Sequence, residues 1–169
     1  MEEQTIINRV SGSSLITFDL EDLYMSGERV FFDLAQVLFQ GLILREKDLK
    51  NFISEHDWQR YEGKFVCVGC SADAIVPVWA FLQITAALNP FAAKVICGDL
   101  QDLEKFIYED VFSSHDWAQY EGKKIVIKGC SKIEIPLYVY ARAMAELQKR
   151  AKLISFGEAC SNVPVWKKK

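Results

Sequence analysis

The chain lacks the common catalytic signatures. It has no phosphate-loop lysine motif, no G-x-G-x-x-G, no nucleophile-elbow serine and no H-E-x-x-H. These absences remove the common enzyme classes, not all enzymes. Positive charge is also short: 20 Lys and Arg against 23 Asp and Glu leave a net charge of −3. No basic stripe interrupts the apolar pattern, which argues against a nucleic-acid surface. At the N-terminus, Met1-Glu2-Glu3-Gln4 puts acids where a secretory or transit peptide carries positive charge, and no apolar h-region follows. The expected location is therefore cytoplasmic. Five cysteines are an odd number in such a chain, which points to reduced thiols and away from a disulfide framework. No linker or low-complexity segment divides the sequence.

One stretch raises the question of a membrane. Ala74 to Ala93 carries no charge and is about as long as a bilayer-spanning helix. Pro77, Gln83, Asn89 and Pro90 cut it to about three helical turns, and its later counterpart carries Arg142, Glu146 and Lys149. It reads as a buried helix of a globular chain. With 169 residues, half of them apolar and 12% aromatic, the sequence can bury a core and is expected to form a single domain over 1–169.

The sequence repeats itself. His56-Asp57-Trp58-Gln59-Arg60-Tyr61-Glu62-Gly63-Lys64 recurs as His115-Asp116-Trp117-Ala118-Gln119-Tyr120-Glu121-Gly122-Lys123. Upstream, Asp48 to Ile53 matches Asp102 to Ile107. Downstream, Gly69-Cys70-Ser71 matches Gly129-Cys130-Ser131, and Pro77 matches Pro136. We read this as a duplicated unit. In the first copy, 42–93, a short apolar run at Leu42-Ile43-Leu44, a helix from Asp48, a strand over Phe65–Gly69 and a helix over Pro77–Leu88 give the order βαβα. In the second, 94–169, the order repeats: Val95-Ile96-Cys97, Leu100–Phe112, Ile125–Gly129 and Pro136–Arg150, with Leu153-Ile154-Ser155-Phe156 as a closing strand. Residues 1–41 add two short strands around Ser26-Gly27, read as a β-hairpin, and a short helix that Asp33 caps and Gly41 stops. The expected fold class is α/β, with duplicated βαβα units forming a largely parallel or mixed sheet flanked by helices.

Among the candidate functional residues, His56 and His115 read as structural. Each adjoining Asp can cap a turn whose Trp and Tyr pack under the next strand. Trp79, Phe81, Tyr138 and Tyr140 fall at matching helix positions and read as packing. The cysteines are more informative. Cys70 and Cys130 each close a strand and precede a proline suited to start a helix, which places each thiol at the edge where parallel sheets bind ligands. Cys160-Ser161 with Pro164 echoes the same pattern a third time. If the three ends converge, Cys70, Cys130 and Cys160 can hold zinc, iron or an iron–sulfur cluster, with Asp73 or Glu134 as a fourth ligand. A reactive thiol and plain packing remain open alternatives. Cys67 and Cys97 lie in apolar strands, do not share the pattern and are set aside as core.

Four segments carry a family resemblance: Ile16-Thr17-Phe18-Asp19-Leu20-Glu21-Asp22, Cys70-Ser71-Ala72-Asp73-Ala74-Ile75-Val76-Pro77, Lys128-Gly129-Cys130 and the closing Gly157-Glu158-Ala159-Cys160-Ser161-Asn162-Val163-Pro164-Val165. Together they resemble an uncharacterised bacterial family, domain of unknown function 2480, over essentially the whole chain. The resemblance supplies no established activity. It implies gene neighbourhoods of iron–sulfur cluster assembly, and hence Cys70, Cys130 and Cys160 as thiolate ligands or sulfur carriers and iron–sulfur assembly proteins as partners. Ser131 and Lys132 stand where the pattern has Gly-Asp, which weakens any role for an acid in that loop. The leading expectation is an accessory factor in metal or iron–sulfur handling. Its alternative is a non-catalytic protein-interaction module with structural cysteines. A homodimer is an open expectation, and no catalytic residue is named, because a sulfur- or acyl-transfer role for Cys70 or Cys130 lacks a companion base.

Overall fold

The computed structural model describes residues 15–128 and 132–169. Their elements in chain order are β1 (Leu15–Asp19), β2 (Arg29–Asp33), α1 (Glu46–Glu55), β3 (Phe65–Gly69), α2 (Val78–Leu88), β4 (Lys94–Cys97), α3 (Leu100–Ser114), β5 (Lys124–Lys128), α4 (Leu137–Leu147), β6 (Leu153–Glu158) and β7 (Ser161–Lys167). The class is α/β. No helix among the described residues is long and apolar enough to cross a membrane.

The strands form two sheets, ordered β2-β3-β4 and β1-β5-β6-β7, where the sequence led us to expect one. They belong to two compact units: a central one, Met25–Ile107, and a split one that joins Met1–Tyr24 to Tyr108–Lys169. The boundary falls inside α3. Every strand pair is parallel except β6 with β7.

This arrangement corrects the N-terminal hairpin. β1 runs parallel to β5, β2 runs parallel to β3, and the two do not pair with each other. The reason is local. Both strands end in Phe-Asp-Leu, and each Asp caps a 3-10 turn: Asp19 Oδ1 accepts from the Glu21 amide at 3.0 Å, and Asp33 Oδ1 from the Ala35 amide at 2.9 Å. Residues 20–28 therefore carry the chain from one sheet to the other, a path too long for a tight turn.

The apolar run Leu42-Ile43-Leu44 is not a strand either. Gln40 and Gly41 turn with positive φ and fold Ile43 back onto Phe39 in an isolated bridge, leaving Leu42 and Ile43 exposed. The order in the central unit is thus β2, α1, β3, α2, β4, and β4 closes it by pairing with β3. The split unit has the matching strands β1, β5 and β6, with α4 between the last two.

Helices α2 and α4 follow Pro77 and Pro136, whose extended conformation leads the chain in. Each buries every fourth residue: Ala80, Ile84 and Leu88 in one, Val139, Ala143 and Leu147 in the other, all at 0% exposure. A spacing of four stacks these side chains on one face. β3 is buried throughout because both faces are covered. Val66 and Val68 meet the α2 stripe and Leu49 of α1, while Phe65 and Cys67 meet Leu103 and Ile107 of α3. In the split unit Phe18, Ile125, Ile127 and Ile154 pack with the α4 stripe, Phe112 and Trp117.

Candidate functional site

The repeated His-Asp-Trp segments form the same structure twice. Asp57 and Asp116 cap 3-10 turns by accepting from the Gln59 and Ala118 amides at 3.2 and 3.0 Å. Trp58 Nε1 donates to the Ile53 carbonyl and Trp117 Nε1 to the Phe112 carbonyl, both at 2.9 Å. His56 Nε2 lies 3.0 Å from the Tyr61 hydroxyl, and His115 Nε2 lies 3.0 Å from that of Tyr120. Aromatic rings enclose each imidazole: Phe32, Phe52 and Trp58 in one unit, Phe18 and Trp117 in the other. Desolvation in these cages lowers the pKa of both histidines. A half-buried, neutral imidazole bonded to a tyrosine braces the turn, as the sequence suggested.

Cys70 follows β3 directly and is half-buried, with its Sγ 3.7 Å from the Ala72 carbonyl oxygen. Its loop is tied down by Asp33, whose carboxylate accepts from the Ser71 amide at 3.0 Å and from the Ser71 hydroxyl. Burial raises the Asp33 pKa, but the hydrogen bonds from Ser71 and from the Ala35 amide outweigh it and leave the carboxyl below its ordinary value. At the corresponding place in the split unit Asp19 pairs instead with Lys128 Nζ at 2.9 Å.

Cys130, with Gly129 and Ser131, lies outside the described residues. Cys160 is exposed in the turn between β6 and β7. The likeness of its segment to the other two is therefore confined to sequence: Pro164 sits in β7, next to the register shift, and starts no helix. β7 is an edge strand, where the missing proline N–H costs no ladder bond. Asp73 and Glu134 are both exposed. Among the described residues, no three His, Cys, Asp or Glu side chains gather in a group that could hold a metal ion.

Cys97, set aside as core, is exposed and belongs to the site. It ends β4 opposite Val68, and the Thr85 hydroxyl lies 3.7 Å from its Sγ. A cleft of about 560 Å³ opens here, lined by Gly69, Cys70, Val78, Phe81, Leu82 and Cys97 among others. It stands at the carboxyl ends of β3 and β4, where open parallel sheets take ligands. Two glycines shape its floor. A Cβ on Gly69 would come within 2.5 Å of the Phe31 ring and 2.9 Å of the Gly98 carbonyl oxygen. Gly98 turns with φ +150° against the Asp102 carboxylate. Asp99, on the rim, is engaged at the start of α3, where its carboxylate accepts from the Asp102 amide at 2.8 Å.

The sequence carries a signal for Cys97. Counting from the end of an apolar strand, Cys97-Gly98 resembles the Gly69-Cys70 terminus, although it lacks the Cys-Ser pattern. Strand register fixes which residues of the two units correspond. Lys94 pairs with Phe65, and Leu153 with Lys124, so Cys97 answers to Phe156 and Cys67 to Val126.

The split unit has a cleft of its own, about 400 Å³, lined by Ile127, Leu137, Tyr140, Met144, Phe156 and Val165 among others. It lies between α4 and the ends of β5 and β6. The family model described as protein of unknown function (DUF2480) matches residues 4–168. The chain belongs to that family. No curated protein and no solved structure matches it. The family description assigns no chemistry, so function has to be argued from the clefts and thiols themselves.

Proposed function

We propose that this family member is a non-catalytic binding module whose ligand seat is the apolar, thiol-flanked cleft of the central unit. The observation that carries this reading is the combination of that 560 Å³ cleft with exposed apolar side chains on its α2 wall, Val78 at 73% and Leu82 at 63%. Apolar side chains left open around a concave site are what a partner or an apolar ligand covers. Cys97 adds an exposed, polarisable thiol and half-buried Cys70 a second, both lining the seat. A cytoplasmic location, which keeps thiols reduced, goes with this proposal.

The test uses 8-anilinonaphthalene-1-sulfonate as an apolar probe and N-ethylmaleimide as a thiol reagent. The dye should bind the folded chain saturably, slow maleimide labelling of Cys97 and leave Cys160 unaffected. Leu82→Glu should abolish that protection. Equal Cys97 labelling with and without bound dye overturns the reading.

A second reading keeps the accessory role in metal or iron–sulfur handling, with iron–sulfur assembly proteins as partners. The exposure of Cys160 favours it, since a transfer site must be reachable. Anaerobically purified protein with near-stoichiometric zinc or iron, lost in each of Cys70→Ser, Cys130→Ser and Cys160→Ser, would install this reading in place of the first.

A further inference from the structure

The two clefts have corresponding walls but differ in one. In the split unit Val165 of β7 lines the cleft, and β7 runs antiparallel along the outer edge of β6. In the central unit the corresponding strand is β4, which ends its sheet; among the described residues no strand covers its outer edge. The cleft volume is also larger there, about 560 Å³ against 400 Å³. The segment after β4 makes no β7-like return, because Cys97 is followed by Gly98, Asp99 and α3, whereas Glu158 is followed by a turn and β7.

We propose that the outer edge of β4, along Val95–Cys97, accepts an extended segment of a partner protein as an antiparallel strand, with one apolar side chain seated in the cleft beside Cys70 and Cys97 as Val165 is seated in the other. This rests on the cleft being a ligand seat and names the class of ligand: a peptide with apolar residues at alternate positions. Main-chain hydrogen bonds to the sheet edge supply affinity, and the pocket beneath selects the side chain. The edge is suited to this. β7 is blunted by Pro164 and Lys167, while β4 carries no proline and only Lys94 as a charge, at its first position.

The probe is a fluorescein-labelled peptide copying Ser161–Lys167, read by anisotropy and by amide hydrogen exchange on the full chain. Saturable binding is expected, with exchange slowed at least about tenfold at β4 and along the α2 wall. Leu82→Glu, a substitution at an exposed position, should weaken binding by at least about tenfold. Slowed exchange on α2 without any change at β4 overturns the strand and leaves the cleft as a ligand seat. No saturable binding overturns the strand proposal, and the dye experiment then decides the cleft separately. A dimer already protecting β4 without peptide gives the edge to a second copy of the chain and overturns the partner strand.

Discussion

Replacing four of the five cysteines in turn, so that each variant keeps one thiol, should sort the thiols by place in the fold. Cys67 is the decisive case. Its side chain is fully buried on the α3 face of β3, with Sγ 3.6 Å from the Val30 carbonyl oxygen. Desolvation, with the nearby Asp99 and Asp102 carboxylates adding to it, pushes its thiol from an ordinary 9.0 up to about 11. Two units of pKa leave about 100-fold less thiolate at neutral pH, and thiolate is the reacting form. Labelling with 5,5′-dithiobis(2-nitrobenzoic acid) at pH 7.4 should therefore run at least about 100-fold slower for the Cys67-only variant than for the Cys97-only and Cys160-only variants, with burial slowing it further. In urea the differences should vanish. A folded Cys67-only variant, checked by circular dichroism, that reacts as fast as Cys160 would refute both its burial and the division of thiols into one core residue and a reactive edge set.

The histidine cages set the acid limb of stability. Desolvation holds the folded pKa of His56 and His115 below the ordinary 6.5, so the unfolded chain binds protons first on acidification. Their contribution is complete above about 6.5 and is lost as pH falls through the folded values. The urea midpoint should fall between pH 7.5 and 5.5, and should fall less in the His56→Gln, His115→Gln double variant; a midpoint that rises on acidification contradicts the cages. Asp33→Ala removes a turn cap and the anchor of the Cys70 loop at once. It should cost about 1–2 kcal/mol in urea unfolding and speed Cys70 labelling, with no change at Cys160; unchanged labelling at Cys70 would mean that Ser71 does not depend on Asp33 for its position.

Elements with strong local signals were legible in the sequence. Helices α2 and α4 announced themselves by a proline start and an apolar period of four, and β3 and β5 by continuous apolar runs. The His-Asp-Trp turns were legible because capping, aromatic packing and the glycine exit all act within nine residues. The partition into two sheets was not, because it depends on which strand pairs with which over long separations, and Phe-Asp-Leu at the ends of β1 and β2 suits either arrangement. β7 was missed because Pro164 and the polar Ser161-Asn162 disguise an edge strand whose partner, β6, is fixed by register and not by local propensity. Leu42-Ile43-Leu44 misled for the opposite reason: its apolar run is real, but the positive-φ turn at Gln40-Gly41 decides its course. At the site, Cys70 was found through a strand-end argument that applies equally to Cys97. Alternation within a strand settles which face a residue serves, but the last residue of an edge strand escapes that rule.

The two units place different chemistry on corresponding scaffolds. Each sheet ends in an acid, Asp33 or Asp19, that caps the turn after its strand, and the carboxylate oxygen left over is assigned differently. Asp33 spends it on the Ser71 hydroxyl and so fixes the loop that carries Cys70 beside the larger cleft. Asp19 gives it to Lys128, and Asp19 lowers the proton loss of that lysine in return, raising its pKa. At the strand ends the difference continues: Cys97 stands where Phe156 lines the other cleft, and among the described residues no strand covers the outer edge of β4, where β7 covers that of β6. The cleft of the split unit, lined by Tyr140, Phe156 and Val165, has its strand wall completed by β7. The cleft of the central unit stands between Cys70 and Cys97 beside a strand whose outer edge no described strand covers, and this difference, a missing neighbour where the split unit has β7, is the ground on which we propose the central unit as the binding seat.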